Sequence, residues 1–171
     1  MKWIIIFFTL FPVIGYTQTV HMEKERIVYK KTINTDASKE DLYDKAKYAI
    51  KRYVRGSRSG LLTDDREKGE IECKGYFRLS SDYNPLQKVQ FIIRIKAEDG
   101  NYKYHIDSVY LVIRERGEKP QYIPSGDFFA RMDISGPVAI ATEKQLNEID
   151  MNFQKLLDLI DLAMKRPGKK R

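Results

Sequence analysis

The segment KVQFIIRIKAEDGNYKYHIDSVYLVIR, residues 88–114, contains the strongest structural signal of the chain. Apolar and polar residues alternate from Lys88 to Lys96, which is the period of a strand with one buried face. Asp99-Gly100 supplies a favoured two-residue hairpin turn, and residues 101–114 return as a second strand. The residues predicted to face the core are Val89, Phe91, Ile93 and Ile95 on the first strand and Tyr102, Tyr104, Ile106, Tyr110 and Val112 on the second.

Three more strands are predicted upstream of this hairpin. Residues 70–79 alternate with Ile71, Cys73 and Phe77 on one face, and residues 61–64 precede them across a turn at 66–69. Because short connections join these strands to the hairpin, the four should be antiparallel neighbours. Residues 26–34 form the remaining predicted strand, close to the start of the chain.

Two amphipathic helices are predicted, one on each side of the four strands. The first is capped by Ser38 and runs to Val54, and residues 55–60 are expected to be a polar loop. The second begins at a capping box, Thr142-Glu143-Lys144-Gln145, and ends before residue 167. Since each helix has a single apolar stripe, both should cover the same face of the sheet.

This order predicts an α+β fold, β-α-β-β-β-β-α, in which an antiparallel sheet carries two helices on one face and leaves the other face open. Residues 115–141 interrupt the pattern with several prolines and glycines. Phe128 and Phe129 are nevertheless too apolar for a free linker. We therefore expect a long loop that folds against its own domain, with one short turn of helix, or that binds a partner.

Residues 1–17 have the pattern of a secretory signal peptide. Lys2 precedes an apolar run of 12 residues at 3–14, shorter than the roughly 20 that a membrane span needs, and cleavage is expected after Thr17. The mature chain would then contain a single domain at residues 18–166 and a basic tail at 167–171, with no transmembrane segment. The expected location is the periplasm or the extracellular space.

Composition narrows the classes of partner. The 31 Lys and Arg residues exceed the 24 Asp and Glu residues, which gives a net charge of +7. In an exported protein an anionic envelope partner or another protein is more available than nucleic acid, and a basic surface without a special partner is the alternative. Cys73 is the only cysteine, so no internal disulfide forms, and its place in an alternating strand predicts a buried, unreactive thiol.

The chain resembles a known family of exported proteins. The helix introduced by Ser38-Lys39-Glu40-Asp41-Leu42, the strand with Lys74-Gly75-Tyr76-Phe77 and the hairpin Asp99-Gly100-Asn101-Tyr102-Lys103-Tyr104 follow an export signal in the order found there. This family of domains of unknown function is described as having a TATA-binding-protein-like fold. The resemblance spans residues 27–112 and the closing helix, and it implies a strand-helix-four-strand-helix unit without assigned catalytic residues.

The predicted open face carries mixed charges instead of the phenylalanines that the TATA-binding protein inserts into DNA. This difference is a second argument against DNA as a partner. The open-face residues are Glu72, Lys74, Tyr76, Arg78, Gln90, Ile92, Arg94, His105 and Asp107.

The sequence contains no strong catalytic or metal-binding motif, and no cofactor is expected. The two histidines and one cysteine do not match a zinc site. His105 and Asp107 share one strand face, which could orient an imidazole for proton transfer or could be an exposed surface pair. The acidic group at residues 64–70 is interrupted by cations and is interpreted as a solvated turn instead of a calcium loop.

A non-enzymatic binding module is therefore the leading functional hypothesis. Its binding residues would be Tyr76, Arg78, Arg94, His105 and Asp107 on the open face and Phe128 and Phe129 in the loop. One alternative is a carrier that holds a small apolar ligand between the sheet and the helices. A second alternative is a hydrolase that uses His105 and Asp107.

Overall fold

The computed structural model describes residues 22–23, 26–80, 88–113, 117–127 and 137–166. The predicted signal peptide, Phe128, Phe129 and the basic tail lie outside these residues. The strands are β1 Met22–Glu23, β2 Arg26–Ile27, β3 Tyr29–Asn34, β4 Leu61–Asp65, β5 Glu70–Arg78, β6 Lys88–Glu98, β7 Asn101–Ile113 and β8 Gln121–Pro124. The helices are α1 Lys39–Tyr53, α2 Ser57–Gly60 and α3 Pro137–Met164.

The main sheet has the order β3-β7-β6-β5-β4, and every described pair in it is antiparallel. The predicted hairpin is confirmed as β6 and β7, with Gly100 at φ 78° in the turn. The long strand β7 has two different neighbours on its outer side. Its residues 101–106 pair with β3 and its residues 110–113 pair with β8.

Helices α1 and α3 pack against one face of this sheet and against each other. Ser38 caps α1 as predicted, since its hydroxyl accepts a hydrogen bond from the backbone N–H of Asp41. The α+β class, with an antiparallel sheet and two main helices, is confirmed. In the described part of the chain, none of the helices combines the length and apolarity required to cross a membrane.

Four aromatic rings fill the centre of the space between the helices and the sheet. The Phe153 ring of α3 lies with its centroid 5.0 Å from the Tyr29 and Phe91 rings and 5.1 Å from the Phe77 ring. Phe153 has no exposed surface. This close packing occupies the position in which a carrier would hold an apolar ligand.

Cys73 lies in the same layer and is fully buried, as predicted. Burial raises the pKa of its thiol to about 11, because the apolar surroundings disfavour the thiolate. The reactive form is therefore scarce at neutral pH, and the side chain serves as a small apolar residue of the core.

The predicted inward face of β7 is wrong beyond Asp107. An extra residue in β7, relative to β6, shifts the register between the Ile92–Asp107 and Gln90–Tyr110 pairs, so that a β-bulge forms at Ser108. A bulge reverses the alternation of the residues that follow it. Val109 and Leu111 are therefore buried against the core, while Tyr110 is placed on the open face. Val112, also predicted to face inward, is buried as well.

Three predicted boundaries also differ from the structure. Residues 55–60, predicted as a loop, contain the short helix α2, and the predicted loop 115–141 contains strand β8. Helix α3 begins at Pro137 instead of Thr142, so the predicted capping box lies inside the helix. Proline suits the first turn because its fixed φ is helical and its missing N–H would have had no intrahelical partner.

Candidate functional site

The open face of the sheet divides into two halves of different electrostatic character. We call the first the paired half, because its charges neutralise one another across the strands. Arg94 contacts both Glu72, at 3.0 Å, and Asp107, at 2.6 Å. The remaining pairs of this half are Lys96–Glu70 at 2.9 Å and Lys103–Glu98 at 2.8 Å.

The pairs in this half also affect ionisation. The hydrogen bond from Lys96 to Glu70 raises the pKa of the lysine, because it stabilises the charged ammonium. The hydrogen bond from Lys103 lowers the pKa of the Glu98 carboxyl for the corresponding reason. These groups are therefore held in their charged, mutually neutralising forms, which leaves little net charge for a partner.

We call the second the cationic half, defined by Lys74, Tyr76, Arg78, Lys88, Tyr110 and Tyr122. Arg78 and Lys88 are directly opposite each other in the β5–β6 register, and Lys74 lies on the same face of β5. Among the described residues, no carboxylate forms an ion pair with any of these three cations. Their positive charge is therefore directed to solvent.

Tyrosine rings lie between the cations of this half. The Lys88 ammonium is 5.3 Å from the centre of the Tyr76 ring, and the Tyr110 and Tyr122 rings meet edge to face at 6.4 Å. Tyr122, from strand β8, is 52% exposed. Exposed aromatic rings between uncompensated cations can contact flat rings and anionic groups at the same time.

A groove lies beside the bulge of β7, at the border of the two halves. Its volume is ≈ 720 Å³, and His105 and Asp107 both line it. The other lining residues are Arg26, Ile27, Val28, Ser108, Val109, Tyr110, Pro124 and Ser125. A smaller pocket of ≈ 290 Å³ opens beside Arg78 at the edge of the sheet and helices.

His105 and Asp107 are close together, but their geometry does not support the hydrolase alternative. His105 Nε2 is 3.8 Å from Asp107 Oδ2, which exceeds hydrogen-bonding distance. The same carboxylate oxygen accepts a hydrogen bond from Arg94 at 2.6 Å. The Asp107 carboxylate is therefore engaged by a permanent cation instead of orienting the imidazole as a catalytic dyad requires.

The predicted binding residues are distributed over these features. Tyr76 and Arg78 belong to the cationic half, whereas Arg94, His105 and Asp107 belong to the paired half or the groove. The sequence alone did not identify Tyr110, because nothing in its pattern marks the bulge that turns this ring outward. Lys88 could have been placed from the alternation of β6, which puts it on the same face as Arg94.

The described residues contain no group of three or more histidine, cysteine, aspartate or glutamate side chains arranged to hold a metal ion. The charged and aromatic side chains of the open face can bind a ligand through charge and aromatic contact. On the open face, the cationic half and the groove have groups available for a ligand.

Two solved structures have similar folds. A TBP-like protein from Parabacteroides distasonis has a TM-score of 0.66 and 18% identity, over 86% of this chain and 99% of its own. A DUF4468 family protein from Bacteroides ovatus has a TM-score of 0.63 and 15% identity, over 89% of this chain and 94% of its own. At these identities the similarity establishes the fold alone.

The comparison with curated proteins finds no match to this chain. Residues 29–111 match the model of the family described as domain of unknown function (DUF4468) with TBP-like fold. The match begins at β3 and ends within β7, so it includes α1 and the four central strands. Residues 29–111 of this chain therefore match the DUF4468 family, and the structure has its TBP-like fold.

Proposed function

We propose that this protein is an exported, non-enzymatic binding module whose cationic half binds an anionic polymer of the cell envelope. The observation that carries the proposal is that the cations of one half of the open face form ion pairs, whereas those of the other half do not. Arg94, Lys96 and Lys103 of the paired half each have a carboxylate within 3.0 Å. Lys74, Arg78 and Lys88 have no such ion pair among the described residues.

The shape of the surface favours an extended polymer. The residues of the cationic half lie on neighbouring strands β5, β6, β7 and β8, which form a continuous face. Tyr76 lies between Lys74 and Arg78 along β5, and Tyr110 and Tyr122 continue the surface on β7 and β8. A chain lying on this face would place its anionic groups on the cations and the C–H faces of its sugar rings on the tyrosines.

Strand β8 links this surface to the segment predicted to bind a partner. Tyr122 comes from residues 115–141, and its ring contacts Tyr110 of β7. The described part of that segment thus contributes an exposed ring to the cationic half. Binding of a second protein remains the competing outcome, and the test below separates the two.

Two double variants with the same change in net charge test the proposal. Lys74→Ala with Arg78→Ala removes two cations from the cationic half, and Lys96→Ala with Lys103→Ala removes two from the paired half. The probe is alginate, a soluble polyuronate, measured by titration calorimetry at low salt. We expect the first variant to lose at least about tenfold in affinity, because uncompensated charges contribute most to binding.

The paired-half variant should retain affinity within about threefold, and the wild-type affinity should fall as salt screens the charges. Equal losses in the two variants would show that only net charge matters. Absence of alginate binding, together with capture of an envelope protein that Lys74→Ala with Arg78→Ala abolishes, would identify a protein partner instead.

The exported location is tested by a separate measurement. If residues 1–17 are a cleaved signal, the intact mass of the protein recovered from its native cell should correspond to a chain that begins at Gln18, or within a few residues of it. Recovery of a chain that retains residues 1–17 in the cytosol would contradict the exported location, and envelope polymers would no longer be available partners.

A further inference from the structure

The groove beside the bulge lies on the outer side of β7, where the described residues show no strand paired with it. Strand β3 pairs with β7 up to Ile106, and β8 pairs with it from Tyr110 onward. Residues 107–109 lie in the gap between the two. Ser125 closes one side, since its backbone N–H donates to Val109 and its hydroxyl accepts from the Ile27 N–H.

Two features of this gap destabilise the fold in the absence of a ligand. Ser108 has φ 51°, and it is the only residue other than glycine with a positive φ in the described part of the chain. A side chain in this conformation is strained, and such residues concentrate at functional sites. In addition, Asp107 Oδ1 is buried and has no hydrogen-bond partner among the described residues.

The unpaired oxygen determines what kind of group the groove can accept. A carboxylate oxygen is an acceptor, so a ligand must present a donor to it. A cationic donor is disfavoured, because Arg94 already contacts the other oxygen at 2.6 Å and Arg26 lines the same groove. An apolar ligand would leave the oxygen unpaired at a further desolvation cost. A neutral hydroxyl meets both requirements.

We propose that this groove is a binding site for a hydroxylated sugar ring. The Asp107 side chain is 26% exposed, and its rotation toward the groove opens the buried Oδ1 to a ligand, so that one hydroxyl donates to it. Neighbouring hydroxyl or carboxylate oxygens accept from the guanidinium of Arg26. The Tyr110 ring, which also lines the groove, offers a flat surface to the C–H face of the sugar.

The size of the groove agrees with this ligand. Its volume of ≈ 720 Å³ lies within the range of about 300–1,000 Å³ for small-molecule sites, so it has room for a disaccharide. The inference does not rest on the proposed function, because Asp107 and Arg26 lie outside the cationic half and only Tyr110 belongs to both surfaces. A neutral sugar could bind here even if the anionic polymer does not bind across Lys74 and Arg78.

The test uses saturation-transfer NMR on the purified protein with three probes: cellobiose, di-N-acetylchitobiose and digalacturonate. We expect at least one of them to bind, and its affinity to fall at least about tenfold in Asp107→Asn, which keeps the shape but exchanges an acceptor for a donor. Lys103→Ala, on the same sheet face but outside the groove, is the matched control and should bind as the wild type does.

Absence of binding by all three disaccharides at about 10 mM would overturn the inference, as would full retention of binding in Asp107→Asn. Because Asp107 also neutralises Arg94, thermal unfolding must first show that this variant is folded. If Asp107→Asn does not fold, Arg26→Ala is the second test, because the exposed Arg26 side chain can be removed with little effect on folding. Loss of binding in this variant supports the site, and unchanged binding rejects it.

Discussion

Replacing Phe153 with alanine should lower the free energy of unfolding by about 3–5 kcal/mol, the usual cost of removing a large aromatic side chain from a core. Phe153 is fully buried and contacts the rings of Tyr29, Phe77 and Phe91. It joins α3 to the sheet, so the cavity would open between the two layers. The loss is a large share of the 5–15 kcal/mol by which a typical domain is stable.

Denaturant unfolding followed by circular dichroism measures this effect. The matched control is Met151→Ala, which removes a large side chain from the same helix at a position that is 59% exposed. The control should change stability by no more than about 0.5 kcal/mol. A loss below about 1 kcal/mol for Phe153→Ala would mean that α3 does not dock on the sheet through this residue.

Tyr29→Phe should be the second strongly destabilising change, with a cost of about 1–3 kcal/mol. The Tyr29 hydroxyl donates to Asp150 Oδ1 at 2.5 Å, and both residues are 3% exposed. Burial, followed by the hydrogen bond to the carboxylate, raises the pKa of Tyr29 well above its ordinary value. Phenylalanine preserves the ring contacts but leaves a buried carboxylate without this donor.

The same substitution at Tyr102 provides the comparison. Its hydroxyl donates to Asp161 at 2.8 Å, but that pair is only partly buried, so water can replace the lost donor. Tyr102→Phe should therefore cost about 0.5–1.5 kcal/mol, less than Tyr29→Phe. If thermal or chemical unfolding shows the same loss of stability in both variants, burial of the Asp150 carboxylate does not explain the effect of the Tyr29–Asp150 hydrogen bond.

The charge pattern of the open face relates the fold to the proposed function. In the paired half, the neutralising contacts join different strands, such as Arg94 of β6 with Glu72 of β5 and Asp107 of β7. In the cationic half, Arg78 lies opposite Lys88, and the Lys88 ammonium contacts the Tyr76 ring instead of an acid. A domain that needed only a solvated surface would gain nothing from leaving these cations without partners, whereas a module for an anionic ligand depends on them.

Much of the fold could be predicted from local patterns. The alternation before and after Asp99-Gly100 identified the β6–β7 hairpin, and Ser38 identified the start of α1. The apolar stripe of α3 identified Phe153 as a core residue. These features depend on neighbours within a few positions in the sequence, so the periods of strands and helices are sufficient to locate them.

The binding surfaces could be predicted only in part. The alternation of β5 placed Tyr76 and Arg78 on the open face, and the structure agrees. It could not show which cations would remain unpaired, because each ion pair depends on the register between strands that are distant in the sequence. Strand β8 and its Tyr122 were missed for a similar reason, since a four-residue edge strand is specified mainly by its partner.

The sequence by itself thus determined the hairpin, the helices, the face they cover and the buried state of Cys73, because hydrophobic periodicity within each element encodes them. Only the tertiary structure decided where the sheet is interrupted. One extra residue at Ser108 turns Tyr110 to the open face and leaves Asp107 Oδ1 without a partner in the described residues. A bulge is a mismatch between two paired strands, so its position depends on how β7 aligns with β6 and not on β7 alone.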